Sequence, residues 1–200
     1  NFFGVIKHNT IVNLYKRLGV KIDIASNYKS LTDASKLILP GVGHFDYAMN
    51  KFNQSGMIET VDDLVMNKKV PVLGICVGMQ IMAISSDEGS KKGLGWIDAY
   101  IKKIDIKNNN LRLPHMGWNN ILINKNDSIL KNLDNNSKFY FLHSYYFNCS
   151  NENNILAFSN YGSNFPSIIR QENIIGIQCH PEKSHEFGEQ ILKNFFDLDA

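Results

Sequence analysis

One stretch limits the possible folds of this chain more than any other: Val70-Pro71-Val72-Leu73-Gly74-Ile75-Cys76-Val77-Gly78-Met79-Gln80. Its apolar first half predicts a buried strand over Val70–Ile75, and the periodicity that follows predicts a helix over Val77–Ile84. Between them stands Gly-x-Cys-x-Gly, the cysteine form of an elbow that holds a nucleophile on a sharp strand-to-helix turn. A side chain at Gly74 or Gly78 would crowd so tight a turn. The amides opening the helix would lie beside the sulfur, where they favour thiolate and can receive an oxyanion. The competing reading of Cys76 is a small buried hydrophobe, the common fate of a free cysteine.

Around this elbow, short apolar runs alternate with helical patterns. Strands are expected at Phe2–Ile6, Lys21–Ala25 and Lys36–Leu39, and helices at Ile11–Leu18, Phe45–Phe52 and Met57–Asn67. That alternation predicts an α/β fold, an open and mainly parallel sheet flanked by helices. The second half reads as added antiparallel strands at Ile97–Ile106, Asn119–Ile123, Phe139–Leu142, Ile155–Asn160, Ser167–Gln171 and Ile174–Cys179, closed by an amphipathic helix from Glu186 to Leu198. Asparagine clusters at Asn108–Asn110, Asn132–Asn136 and Asn148–Asn154 are surface-loop composition. With no linker and no repeat, residues 1–200 are expected to form a single domain.

A second segment complements the first. Ile174-Ile175-Gly176-Ile177-Gln178-Cys179 runs into His180-Pro181-Glu182. Pro181 biases His180 toward extended backbone, where residues two apart share a side, so Glu182 is expected to approach the imidazole. A histidine oriented by a carboxylate, opposite a cysteine on an elbow, is the set that thiol nucleophilic catalysis requires. Both would lie at strand ends, where open α/β sheets place their sites. Cys179 sits within an apolar strand and reads as packing, and nothing around Cys149 supports a chemical role.

Composition excludes several other classes. Hydrophobic residues make up 44% and charged ones 20%, so the chain is not a disordered one. Lys and Arg number 21 against 19 Asp and Glu, a net charge of +2 without the basic surplus of a nucleic-acid binder. Three cysteines give neither a disulfide framework nor zinc spacing. No run reaches the roughly 20 apolar residues of a membrane helix. Without a secretory leader pattern at the N-terminus, a reducing cytoplasm is expected. No cofactor and no metal is implied.

Gly74-Ile75-Cys76-Val77-Gly78-Met79-Gln80 with a distant His180-Pro181-Glu182 resembles the class I (triad) glutamine amidotransferases. Within that class, several ordered segments resemble the glutaminase subunits of imidazole glycerol phosphate synthases. They are Leu39-Pro40-Gly41-Val42-Gly43 with Phe45 and Ala48-Met49, Pro114-His115-Met116-Gly117-Trp118-Asn119, Phe141-Leu142-His143-Ser144-Tyr145 and His180-Pro181-Glu182-Lys183-Ser184. The resemblance implies that Cys76 forms a γ-glutamyl thioester, that His180 acts as base and then acid, and that Glu182 orients it. It further implies an oxyanion loop at Gly41, Val42 and Gly43 joined by the amide of Val77. Gln80, Glu88, Ser144 and Tyr145 would hold L-glutamine, although Ser85–Gly89 also reads as an ordinary polar helix end. The implied partner is a (β/α)8-barrel cyclase subunit in a heterodimer, receiving ammonia to make imidazole glycerol phosphate and AICAR in histidine biosynthesis. Trp118, in a predicted surface turn, with His115, Met116, Tyr140 and Lys183, would form the interface.

Three positions depart from the family pattern. Lys7-His8-Asn9-Thr10 replaces a Tyr-Gly-x-Gly-Asn loop, Val77 stands where Leu is usual, and Cys179 stands where Phe is usual. Lys183-Ser184-His185 and Gly93-Leu94-Gly95-Trp96 are also similar to paralogues that supply ammonia to sugar amination for surface polysaccharides, an alternative acceptor for the same chemistry. A reading of another class, an inactive amidotransferase-like scaffold, has the intact Cys76, His180 and Glu182 against it. A cysteine-peptidase-like or chaperone reading leaves the Pro-Gly-Val-Gly and His-Met-Gly-Trp-Asn segments without a reason.

Overall fold

Three runs of β-branched and aliphatic residues, Lys36–Gly41, Val72–Cys76 and Ile174–Ile177, are buried along their whole length. Continuous burial rather than alternation is the mark of strands covered on both faces of a sheet. The computed structural model describes residues 2–4, 9–31, 33–106 and 111–198. In chain order the first half contains β1 (Phe2–Gly4), α1 (Asn9–Arg17), β2 (Asp23–Ile24), β3 (Lys36–Gly41), α2 (Phe45–Gln54), α3 (Ile58–Asp62), β4 (Val72–Cys76), α4 (Val77–Gln80) and β5 (Ser85–Ser86). The second contains β6 (Ala99–Lys103), β7 (His115–Asn120), β8 (Leu122–Ile123), β9 (Lys138–His143), β10 (Tyr145–Cys149), β11 (Ile155–Tyr161), β12 (Ser163–Gln171), β13 (Ile174–Ile177) and α5 (His185–Asp197).

The main sheet has the order β2-β1-β3-β4-β13-β12-β11-β8. From β2 to β13 every pairing is parallel, and from β13 outward every pairing is antiparallel. The α/β expectation, with antiparallel strands added to a parallel core, therefore holds. Two smaller sheets, β10-β6-β5 and β7-β9, complete the second half. Because β3, β4 and β13 are parallel, their carboxyl ends meet at one edge, with Gly41 opposite Cys76 and Ile177 opposite Ile75. That edge is where open α/β sheets hold ligands.

Several boundaries differ from expectation, each for a local reason. The helix after Cys76 ends at Gln80 rather than Ile84. The carbonyls of Ile81, Ala83 and Ile84 accept hydrogen bonds from Leu94, Gly95 and Gly93 instead of continuing an i, i+4 ladder. The helix expected over Met57–Asn67 splits into α3 and a π turn over Asp63–Asn67. Trp118 lies within β7, not in a surface turn, because His115–Asn120 pairs antiparallel with β9. Strand β10, which the sequence pattern does not announce, forms because Tyr145–Cys149 pairs with β6. Residues 5–8 and 107–110 lie outside the described residues, so Val5 and Ile6 of the Phe2–Ile6 strand, Lys7 and His8 of the Lys7–Thr10 departure and the Asn108–Asn110 loop are not placed.

Candidate active site

Cys76 ends β4 and begins α4 with φ 54° and ψ −115°. A non-glycine residue at positive φ is strained, and such strain collects at functional turns. The turn is held by close backbone packing: a Cβ on Gly78 would stand 1.6 Å from the Leu39 carbonyl oxygen. Glycine is therefore obligatory there, as the elbow motif requires. With only one helical turn behind the sulfur, the local amides and not a long helix dipole supply the field at Cys76.

His180 follows β13 in extended backbone, φ −102° and ψ 92°. Its Nδ1 lies 2.8 Å from Glu182 Oε1, with both side chains almost wholly buried. The route to this pair differs from the extended-chain expectation, since Pro181–Lys183 forms a 3-10 turn that swings Glu182 back under the ring. Ser184 braces the turn. Its hydroxyl donates to the His180 carbonyl at 2.6 Å and accepts from the Tyr140 amide at 3.0 Å. Burial opposes a charge on His180, but hydrogen bonds to Cys76 and Glu182, with the charges of both, outweigh it and raise its pKa. His180 is thus coupled to both the thiol and the carboxylate, while Cys76 Sγ also lies 4.0 Å from the Leu142 carbonyl oxygen.

The three residues open onto a cleft of about 570 Å³, large enough for an amino acid. Val42, Gly43, Val77, Gln80, Glu88, Ser144 and Tyr145 line it, and Thr10 and Lys183 reach it as well. Gly43 has φ +90°, a conformation side chains disfavour. Gly41 lies behind the lining in β3, with a would-be Cβ 2.3 Å from the Gly78 amide nitrogen, so its part is to let the loop meet the elbow. Glu88 is not on a helix end. It follows β5, and its Oε2 accepts from the Phe45 amide at 2.8 Å, tying the cleft to the start of α2 just past the Gly41–Gly43 loop.

Two side chains without an assigned role belong to this site. Gln178 is fully buried and its Nε2 is 3.8 Å from Cys76 Sγ. The signal for it was a polar residue closing an isoleucine-rich run. His143, at the end of β9, lines the cleft and is linked inward to His115 by an Nδ1–Nε2 contact of 3.1 Å. His143 Nδ1 faces the Tyr145 carbonyl at 2.8 Å and must donate to it. Its Nε2 then accepts from His115 Nδ1, and His115 Nε2 accepts from Asn119 Nδ2 at 3.3 Å. Burial lowers the pKa of His143 to about 3 and of His115 to about 4, which matches this chain of neutral rings.

The expected interface residues divide by strand face. His115 is 3% exposed and stacked between Phe141 and Tyr161, so it is interior and not a contact residue. Met116 and Trp118, on the opposite face of β7, are 61% and 48% exposed. Trp118 stacks on His185, and Lys183 sits over the Tyr140 ring at 5.3 Å. The other thiols are chemically quiet. Burial drives Cys179 well above its usual range, with the charge of Glu182 adding to it, and pushes Cys149 up to about 12. Among the described residues no group of three or more His, Cys, Asp or Glu is placed to hold a metal ion, and no helix is long and apolar enough to cross a membrane.

A cysteine on a strand-to-helix elbow, a buried His–Glu pair and a cleft of amino-acid size agree with what sequence comparison finds. The family model described as glutamine amidotransferase class-I matches residues 1–198. The chain belongs to the class-I glutamine amidotransferases. Imidazole glycerol phosphate synthase subunit HisH of Leptospira interrogans is 45% identical, over 98% of this chain and 97% of the relative. The protein of the same name from Bdellovibrio bacteriovorus is 44% identical over 98% and 97%. Among solved structures, a glutamine amidotransferase superposes with TM-score 0.76 at 19% identity, covering 98% of both chains, which supports the fold of this amidotransferase.

Proposed function

We propose that this amidotransferase is the glutaminase subunit of an imidazole glycerol phosphate synthase, a single-domain chain that makes ammonia for a cyclase partner. The observation that carries the chemistry is the buried His180–Glu182 pair, which opens with Cys76 onto one cleft. The acceptor follows from relatives 44–45% identical over nearly the whole chain.

In this reading Cys76 gives its proton to His180, and Sγ attacks the side-chain amide carbon of glutamine. The carbonyl electron pair moves onto oxygen, which the Val77 amide and the Gly41–Gly43 loop receive. When the carbonyl re-forms, the C–N bond breaks and His180 protonates the leaving nitrogen, releasing ammonia and leaving a γ-glutamyl thioester. Water then attacks that carbon, giving a proton to His180, and the C–S bond breaks. Glutamate leaves and His180 returns the proton to sulfur, so glutamine and water become glutamate and ammonia. Glu182 holds the imidazolium through both halves without taking the proton. Glu88 and the free oxygen of Gln80 would accept from the substrate ammonium.

Free hydrolysis would waste ammonia, so the isolated subunit is expected to be a weak glutaminase that docking of a (β/α)8-barrel cyclase completes. One oxyanion donor is worth about 10²–10³ in rate, and the Gly41–Gly43 loop is placed to supply it. Mixing the chain with its cyclase should give glutamine-dependent imidazole glycerol phosphate and a glutaminase rate raised by a factor of that order. Glutaminase activity that only a sugar-aminating partner stimulates would move the acceptor to the polysaccharide branch. An isolated chain as active as the complex would remove the switch.

A further inference from the structure

The structure assigns to Gln178 a role in the glutaminase reaction: its side-chain amide is a fixed N–H donor to the Cys76 sulfur, aimed there by Gln80. The inference rests on the reading of Cys76 as nucleophile and goes beyond the triad. Its starting point is the Tyr145 main-chain carbonyl, which can only accept hydrogen bonds. Gln80 Nε2 lies 3.1 Å from that oxygen, so the nitrogen end of Gln80 is fixed without ambiguity. The same nitrogen lies 3.1 Å from the side chain of Gln178, which must therefore present its oxygen, Oε1. The other end of the Gln178 amide is then Nε2, and it faces Cys76 Sγ at 3.8 Å. Three consecutive contacts leave only one orientation for the amide.

The surroundings make that orientation count. Gln178 is 0% exposed and lies behind the cleft lining, so water does not compete for its amide. The Gln178 main chain is held by its amide donating to the Ser167 carbonyl at 2.8 Å. A buried donor that does not reorganise stabilises charge on the sulfur more than a mobile one. His180 and Gln178 therefore reach the same sulfur by different means: one exchanges a proton with it, the other only donates a hydrogen bond. Gln178 does not line the cleft, so it touches the nucleophile and not the substrate. Both hydrogens of Gln80 Nε2 are used in this arrangement, which leaves its Oε1 as the atom available to the cleft.

The test is the rate at which iodoacetamide alkylates Cys76 in the full chain, followed by peptide mapping, in Gln178→Met and Gln178→Glu. Methionine keeps the volume and removes the donor. Glutamate keeps the shape and sets an anion beside the sulfur. At mildly acid pH the methionine variant should react about tenfold more slowly, the size expected for one hydrogen bond to a charged group, and the glutamate variant more slowly still. Both deficits should close at strongly alkaline pH, where the thiol ionises without help, a recovery that damaged packing would not give. In glutamine hydrolysis by the complex the methionine variant should lose kcat with KM nearly unchanged. Should Gln178→Met not fold, Gln80→Met serves, since it unpins the amide while leaving Gln178 in place, and a smaller slowing with the same alkaline recovery is expected. Wild-type alkylation rates across the pH range in the folded variants would overturn the role of Gln178. Labelling of another cysteine, or full glutaminase activity in Cys76→Ala, would instead overturn the nucleophile assignment on which it rests.

Discussion

Two buried histidine sites lie on either side of the Gln80–Gln178 amide pair, and the protein drives them in opposite directions. His180 sits against Glu182 and Cys76, and its pKa is raised in spite of burial. His143 and His115 are equally enclosed, but their partners are a carbonyl, an amide and each other, and both pKa values are lowered. Burial alone makes a histidine neutral, and the thiol of Cys76 together with the carboxylate of Glu182 reverses the sign. The first site is built to carry a proton, the second to hold strands β7 and β9 and the Tyr145 carbonyl in register.

The largest test of that contrast removes the charged ring. His180→Ala should lower glutaminase activity of the complex by about 10⁴, the upper range for a general acid and base, whereas His143→Gln should leave the chemical step far less affected. Comparable losses from the two in steady-state assays would erase the distinction.

Glu182→Gln is the next step down. It keeps the hydrogen bond and removes the charge, so the loss in rate should be smaller than that of His180→Ala. Because the charge of Glu182 helps raise the His180 pKa, its removal should move the alkaline limb of the pH–rate profile to lower pH. A limb that stays in place would mean that Glu182 does not set the charge of His180.

At the surface the contrast appears on one strand, since β7 turns His115 inward and Met116 and Trp118 outward. Trp118→Ala should weaken cyclase binding about 30-fold, a typical hot-spot loss, and reduce stimulation with it, while thermal unfolding of the isolated chain barely moves. Unfolding of the variant would make Trp118 a packing residue.

The smallest effect is on stability in acid. His143 and His115 have folded pKa values below the usual 6.5, at about 3 and about 4. The stability they contribute is present above pH 6.5 and is lost as pH falls toward those values, when the unfolded chain binds protons that the folded one refuses. In that window His143→Gln should flatten the fall in unfolding free energy by about 1.4 kcal/mol per pH unit, one proton's worth. An unchanged slope in denaturant titrations would show that His143 is charged in the folded state.

The sequence made local features legible and left long-range ones hidden. The Cys76 elbow could be read because Gly74, Ile75, Cys76, Val77 and Gly78 impose their geometry within five residues. His180 and Glu182 could be paired for the same reason, although by a 3-10 turn and not an extended chain. His115 looked like a contact residue beside Trp118, and only its pairing with His143 across β7 and β9 turns it inward. The helix after Cys76 looked four residues longer, because nothing nearby in sequence announces that Gly93–Gly95 would take the carbonyls of Ile81, Ala83 and Ile84. Gln178 was invisible as a donor for a related reason: its direction is set by Gln80, 98 residues earlier.

Cys76 is the one reactive thiol in this reading of the chain, and covalent labelling tests that most directly. A glutamine-shaped electrophile should modify Cys76 alone, with protection by glutamine, and leave Cys149 and Cys179 unmodified. The Cys76→Ala complex should then make product from added ammonia but not from glutamine. Labelling at Cys149 or Cys179, or glutamine-dependent synthesis by Cys76→Ala near the wild-type rate, would contradict the account.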